Sequence, residues 1–293
     1  MNIEVTDIKI KNKYKKNKIK RREINKKNIF IYAFLIAISI IMIWPFFQMI
    51  STSLMTFQEA TSMPPALIPR KASLDAYKNV FNMIPFGKFY LNSIIVCIIR
   101  VIGTVLIASF AGYAFAMYEF KGKKLLFSIV LVIMMVPGQI FLLPQFNMMN
   151  NLGLLDTLTA IWLPNLFTAY GIFMMRQFYL SIPQALIDAA SIDGAGHFRI
   201  FFQIATPVIK GAVTVFGIQT AIWSWNDLLW PLIVNSSQDK LTLPIAMSLM
   251  KGQYVTDFPS MMAAAMMAVI PMILLYIVFQ RSFENMDISS SIK

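Results

Sequence analysis

Six long, almost uncharged apolar runs leave this 293-residue chain few folds to choose from. They lie at Ile29–Ile50, Phe89–Phe115, Leu125–Leu143, Thr157–Met175, Gly211–Val234 and Met261–Gln280. Each is near or above the roughly 20 residues needed to cross a hydrocarbon core about 30 Å thick. A segment in lipid has to satisfy its own backbone hydrogen bonds, so runs of this kind predict helices. The expected fold is an all-α integral membrane protein with six transmembrane helices. The chain is 57% hydrophobic and only 14% charged, with a mean hydropathy of +0.63, whereas a soluble domain carries about 25% charged residues. Pro45, Pro137 and Pro271 fall inside three runs, and Pro164 and Pro231 interrupt two more. Such prolines mark bends or broken helices where neighbouring helices re-satisfy the freed carbonyls, or kinks without a transport role.

Lysine and arginine set the expected orientation, because cytoplasmic loops collect them. Eleven of the 26 lie in the first 28 residues. With six spans, that tail, the Glu119–Lys124 loop, the Asp188–Pro207 loop and the C-terminus all fall on the cytoplasmic side. The Pro144–Asp156 loop, which has no Lys or Arg, falls outside. The implied organisation is a basic cytoplasmic tail (1–28), a six-span domain (29–281) and a cytoplasmic C-terminal tail (282–293). The first run has 22 residues and exceeds the apolar core of about 7–15 residues of a cleaved signal, so it reads as a retained anchor. The net charge of +12 is concentrated in the tail. A basic tail beside a first span is explained by orientation and attraction to anionic lipid. No nucleic-acid module accompanies it, so nucleic acid is not an expected partner.

Catalytic groups are scarce. The chain has one cysteine, Cys97, and one histidine, His197, which excludes a disulfide, a Cys-rich zinc site and a His–His metal pair within it. No Gly-x-Ser-x-Gly elbow, His-Glu-x-x-His helix or Walker phosphate loop is present. The chain is therefore not expected to be an enzyme, nor to bind a cofactor of its own. The 21 methionines suit packing of irregular gaps between spans.

Between the fourth and fifth runs lies Asp188–Pro207, DAASIDGAGHFRIFFQIATP. It is polar enough to leave the bilayer yet keeps apolar residues at helical spacing. Ala185, Leu186, Ala189 and Ala190 share one face of a first short helix, and Phe198, Phe201 and Phe202 one face of a second. Gly194 stands between them, where a chain leaving a helix needs positive φ. Pro183 suits the first turn of the first helix, and Pro207 marks the start of the next segment. Two short amphipathic helices joined at a glycine suit either a groove on another protein or the surface of a membrane.

The order Asp188-Ala189-Ala190, three residues, Gly194, nine residues, Ile204, one residue, Thr206-Pro207 resembles the EAA loop of binding-protein-dependent ABC importer permeases. Asp stands for the usual Glu and Thr for the usual Leu, while the Gly and Pro spacing is intact. Ile192-Asp193-Gly194-Ala195 followed by Phe198 is similar to the carbohydrate-importing branch, the maltose-type second permease subunit. Asn92-Ser93, Gly112-Tyr113-Ala114, Pro137-Gly138-Gln139, Gly153-Leu154, Trp225-Asn226-Asp227 and Thr242-Leu243-Pro244 extend the likeness along most of the chain. Gly211, where a second proline is common, and the ending from Phe283, which lacks the usual glycines, depart from it.

The resemblance implies a permease subunit that pairs with a second, homologous permease. Two ABC ATPase subunits, which bind the ATP and Mg, dock on the loops, and an extracytoplasmic solute-binding protein delivers a mono- or oligosaccharide. It implies coupling through residues 182–207, carried by Asp188, Ala189, Ala190, Asp193, Gly194, Ala195, Phe198 and Pro207. For the solute pathway, Gln139, Gln219, Trp223, Trp225 and Asn226 are the groups able to stack on or hydrogen-bond a sugar. Trp230, at a span end, reads as an interfacial anchor. Arg100 and Asp227, also candidates for the pathway, reach similar depths from opposite ends of their spans. An unpaired arginine near the bilayer centre costs about 2.5–3.5 kcal/mol, so Arg100 is expected to face the bundle and be neutralised by Asp227, by the partner subunit or by cavity water. Other readings are an importer of glycerol phosphate or another organic solute and, in a different class, a channel or receptor not driven by ATP.

Overall fold

A computed structural model describes residues 26–64, 66–250 and 256–284; most of the two expected terminal tails lies outside the described residues. The described residues contain helices and no strand. Helices of six or more α-helical residues are numbered α1 Lys26–Ser53, α2 Asp75–Met83, α3 Phe86–Met117, α4 Lys123–Met135, α5 Leu142–Asn151, α6 Ala169–Leu180, α7 Gln184–Ile192, α8 Lys210–Trp225, α9 Leu229–Val234, α10 Leu243–Leu249 and α11 Phe258–Glu284. The chain forms two compact units, one ending at Met49 and the other starting at Ile50.

In the first unit, the apolar run from Ile29 onward is one continuous helix despite Pro45. In the second unit, α3 and the Phe258–Gln280 part of α11 are also long and apolar enough to cross a membrane. The remaining candidates are bent pairs: Lys123–Met135 with Gly138–Asn151 at 104°, Leu158–Leu166 with Ala169–Leu180 at 44°, and His197–Val208 with Lys210–Trp225 at 82°. The described residues thus hold three such helices, or up to six if each bent pair is one span.

Three of the expected spans are broken. Leu125–Leu143 is not one helix: α4 stops at Met135, and Pro137, which cannot donate to a preceding carbonyl, opens a 3₁₀ turn at Gly138–Phe141. Thr157–Met175 is broken between a 3₁₀ turn at Pro164–Leu166 and Thr168, whose hydroxyl caps α6. Gly211–Val234 is interrupted at residues 226–228, leaving α8 at 16 residues, about 24 Å long at 1.5 Å per residue. By contrast, Pro271 sits within continuous α11.

The core of the second unit is built where small residues let helices touch. At Gly112 on α3, an added Cβ would lie 2.6 Å from Met175 Cβ and 2.8 Å from the Arg176 backbone nitrogen on α6. Small-residue contacts of this kind suit helices in lipid, where dispersion and not water exclusion holds them together. Arg176 locks the end of α6, donating from Nε to the Phe115 carbonyl at 3.2 Å and lying 4.1 Å over the Phe127 ring. At the opposite end of these helices, the Ser236 and Ser237 amides and the Ser237 hydroxyl donate to the Asp156 carboxylate. Those donors, the Ser237 hydroxyl foremost, hold its carboxyl below the usual range.

Trp230 corrects another expectation. It is buried and donates from Nε1 to the Ala160 carbonyl at 2.9 Å, packed with Val96, Met149 and Ile161. Its indole is satisfied inside the protein, not at a lipid interface.

Candidate functional site

The segment after α6 folds as two short helices around Gly194. α7 reads QALIDAASI, rich in alanine and other good helix formers. Gln184 donates to Asp188 Oδ1 at 3.0 Å, one turn on. Gly194 then takes φ +80°, the Gly194 amide donates to the Ser191 carbonyl at 3.1 Å, and the Ala195 amide reaches back to Ala190 at 3.0 Å. These are the paired bonds of a Schellman stop, which wants glycine at this position. A second helix runs His197–Val208 with a π-helical stretch at Ile200–Ala205, and it meets α8 at 82°.

One side of this hairpin is anchored to the membrane helices. Ile187, Ala190, Ile200, Phe201 and Ala205 are buried with Tyr113, Met175, Tyr179 and Phe216. Phe201 stacks on Phe110 at 4.5 Å between centroids and meets the Tyr113 ring edge-on at 5.2 Å. The Thr206 hydroxyl lies 2.9 Å from the Tyr179 hydroxyl, so the threonine standing for the family's leucine is tied down by a hydrogen bond. His197 lies edge-on to Tyr118 at 5.4 Å.

The other side is open. Ile192 is 85% exposed and Phe198 74% exposed, and Ala185, Leu186, Ala189 and Phe202 are exposed beside them. Asp188 and Asp193 are exposed and Ala195 is half-buried. This divides the expected apolar faces. Ala190 and Phe201 turn inward, because the helix phase is set by packing on Tyr113 and Tyr179, and Ile192 takes a place on the outer stripe. Pro207 also differs from expectation: it lies in the last turn of the second helix, and the following helix starts at Lys210.

A second feature surrounds the charge pair. Arg100 Nη1, on α3, donates to Asp227 Oδ2 at 2.9 Å, with the two side chains 12% and 18% exposed. Asp227 is free to reach it because α8 ends at Trp225 and α9 begins only at Leu229. Arg100 Nε is buried with no hydrogen-bond partner among the described residues. Arg100 opens onto a cavity of 1090 Å³ that is also lined by Gln139, Gln145, Thr168, Tyr170 and Trp223. Asp227 opens onto a smaller one of 270 Å³ lined by Gln139, Gln145, Asn165 and Trp230 among others.

Gln139 and Trp223 thus line the same cavity as Arg100, and Gln139 also lines the one beside Asp227. Three other pathway candidates do not join them. Trp225 is buried and donates from Nε1 to the Ala268 carbonyl at 3.0 Å, so it joins α8 to α11. The Asn226 amide donates to the Ile222 carbonyl at 2.8 Å and closes the end of α8. Gln219 is half-buried and lines neither cavity. Tyr170, Gln145, Thr168 and Asn165 are lining residues that the sequence reading missed. The available signal was their position beside the proline breaks, Pro137 and Pro164, where the chain folds back.

Residues 104–287 match the family described as the binding-protein-dependent transport system inner membrane component. The chain belongs to that family. It is therefore a multi-pass membrane protein and the permease component of an ABC-type transport system that works with a binding protein. The arabinooligosaccharides transport system permease AraQ of Halalkalibacterium halodurans is 34% identical over 249 residues, 84% of this chain and 89% of that protein. The sn-glycerol-3-phosphate transport system permease UgpE of Escherichia coli O1:K1 / APEC is 28% identical over 263 residues, 87% of this chain and 94% of that one. The fold is similar to a chain in the crystal structure of a bacterial ABC transporter involved in the import of the acidic polysaccharide alginate. The TM-score is 0.79 at 22% identity, covering 90% of this chain and 98% of that one.

Proposed function

We propose that this chain is one of two paired permease subunits of an ATP-driven saccharide importer, driven by two ATPase subunits that dock on residues 182–207. The observation that carries the saccharide reading is the 34% identity to an arabinooligosaccharide permease across 84% of the chain. The docking reading rests on a hairpin whose inner side is anchored and whose outer side leaves Ile192 and Phe198 bare.

In this reading six spans cross the membrane, both termini are cytoplasmic, and the chain has no ATPase site, so ATP and Mg belong to the docked subunits. A solute-binding protein delivers the sugar from the other side, and lipid surrounds the remaining apolar surface. When the ATPase pair closes, its cleft drags the outer face of the hairpin, and Phe201 and Thr206 pass the motion to α3 and α6. Burying one large apolar side chain is worth about 1.5–3 kcal/mol. An exposed pair made by Asp188 or Asp193 is worth about 0–1 kcal/mol. Ile192 and Phe198 therefore carry the coupling, with Leu186 and Ala189 beside them and the aspartates at the rim. The spans then expose the polar cavity to one side and then the other.

Uptake by cells with and without the gene tests this. Radiolabelled neutral oligosaccharides, beginning with arabinotriose, should include one whose entry is lost without the chain and restored by re-expression, while glycerol 3-phosphate entry is unchanged. Loss of glycerol 3-phosphate entry alone, or of none of these, contradicts the reading.

A further inference from the structure

Arg100 brings a full positive charge to the larger cavity, and on its own it would make that cavity a trap for anions. It does not act alone, because Asp227 lies 2.9 Å away and cancels the charge at close range. What remains toward the cavity is a set of neutral hydrogen-bonding groups, Gln139, Gln145 and Thr168, beside two aromatic rings. Those rings, Tyr170 and Trp223, meet at 5.7 Å and 69°, forming an L-shaped corner. Both are more than two-fifths exposed, so their faces are available to a guest. A pyranose or furanose ring has apolar C–H faces and an equator of hydroxyls, and this corner with its flanking amides matches both. Another hollow among the described residues, 520 Å³ between α3, α8 and α11, is lined almost wholly by apolar side chains. Its one lining hydroxyl, Thr214, already donates to the Lys210 carbonyl at 2.9 Å, so a sugar's hydroxyls buried there would go largely unpaired.

We propose that the 1090 Å³ cavity is a binding site for an uncharged sugar ring. The Tyr170–Trp223 corner is its platform, Gln139 and Gln145 are its hydrogen-bonding groups, and Asp227 is the residue that sets its preference for neutral over anionic solutes. The proposal rests on the importer reading above and adds which residues choose the solute. Asp227 acts through Arg100: it engages Nη1 and neutralises the guanidinium charge that would otherwise attract a phosphate or carboxylate. A solute anion would have to approach against the charge of a carboxylate already in place.

Two measurements test it, each scaled to the amount of chain in the membrane. In cells, uptake of the saccharide that depends on the chain should fall tenfold or more for Trp223→Ala and Gln139→Leu. Trp223→Phe, which keeps a ring, should retain most of it, and Gln219→Leu, outside both cavities, should match the parent. In nanodiscs holding the assembled importer without its binding protein, glycerol 3-phosphate is the probe. The parent should bind it negligibly, and Asp227→Asn should gain at least tenfold in affinity. Parental uptake by both Trp223→Ala and Gln139→Leu overturns the site, and an Asp227→Asn importer that gains no affinity overturns the selectivity. Neither result touches the importer reading, which falls only if no saccharide depends on the chain. The nanodisc measurement stands independently of that outcome.

Discussion

A valine at Gly194 is expected to cut solute uptake tenfold or more while leaving the chain inserted at normal abundance. Gly194 takes φ +80°, and a Cβ added there would meet nothing within 4 Å. The penalty is therefore backbone strain alone, about 1–2 kcal/mol for a side chain in the left-handed region and greater for a β-branched one. The chain escapes that strain by leaving the left-handed conformation, which breaks the Ala195–Ala190 and Gly194–Ser191 bonds and swings α7 away from the second helix of the hairpin. Ile192 and Phe198 then no longer present one surface to the ATPase. Gly194→Asn, which tolerates the left-handed region, should keep most of the uptake. Uptake and ATPase copurification of Gly194→Val, set beside those of Gly194→Asn, check this. Normal values for the valine variant contradict a docking role for the hairpin.

Breaking the Arg100–Asp227 pair should cost more. Both side chains are mostly buried, and removing one partner of a buried pair leaves a charge without compensation, at a cost of about 3–5 kcal/mol. Arg100→Met and Asp227→Asn should each lower the amount of assembled protein, and the double variant should recover much of the loss. A double-mutant cycle on thermal stability in detergent measures the coupling. Losses that simply add would show that the pair contributes nothing.

Parts of this structure were legible in the residues because they depend on local chemistry. The apolar runs announce membrane helices through length alone. The joint at Gly194 is readable because few residues accept positive φ, and the fixed distance from Asp188 to Pro207 frames it. Even the Arg100–Asp227 pair follows from depth, since two charges in apolar runs have few other partners. Other parts depend on contacts distant in sequence. Which side of the hairpin is buried was decided by Tyr113 and Tyr179, so Ala190 and Phe201 could not be assigned by periodicity. Trp225 and Trp230 resembled a pathway group and an interface anchor, yet their indole N–H groups are taken by the carbonyls of Ala268 and Ala160. Pro137 signalled a bend, but not the 104° turn that puts Gln139 and Gln145 around the charge pair. Tyr170 lay near the Pro164 break, but its value comes from the angle it makes with Trp223, which no local pattern sets.

The central claim is that the 182–207 hairpin is the cytoplasmic dock of an ATPase. It is tested most directly by placing single cysteines at Leu152 and Ile192, both exposed, after replacing the buried Cys97. An impermeant thiol reagent added to whole cells should label the Leu152→Cys variant and leave Ile192→Cys unlabelled. In inside-out vesicles Ile192→Cys should label and should crosslink to an ABC ATPase identified by mass spectrometry. Labelling of Ile192→Cys from outside the cell, or a crosslink to no ATPase, would contradict the account.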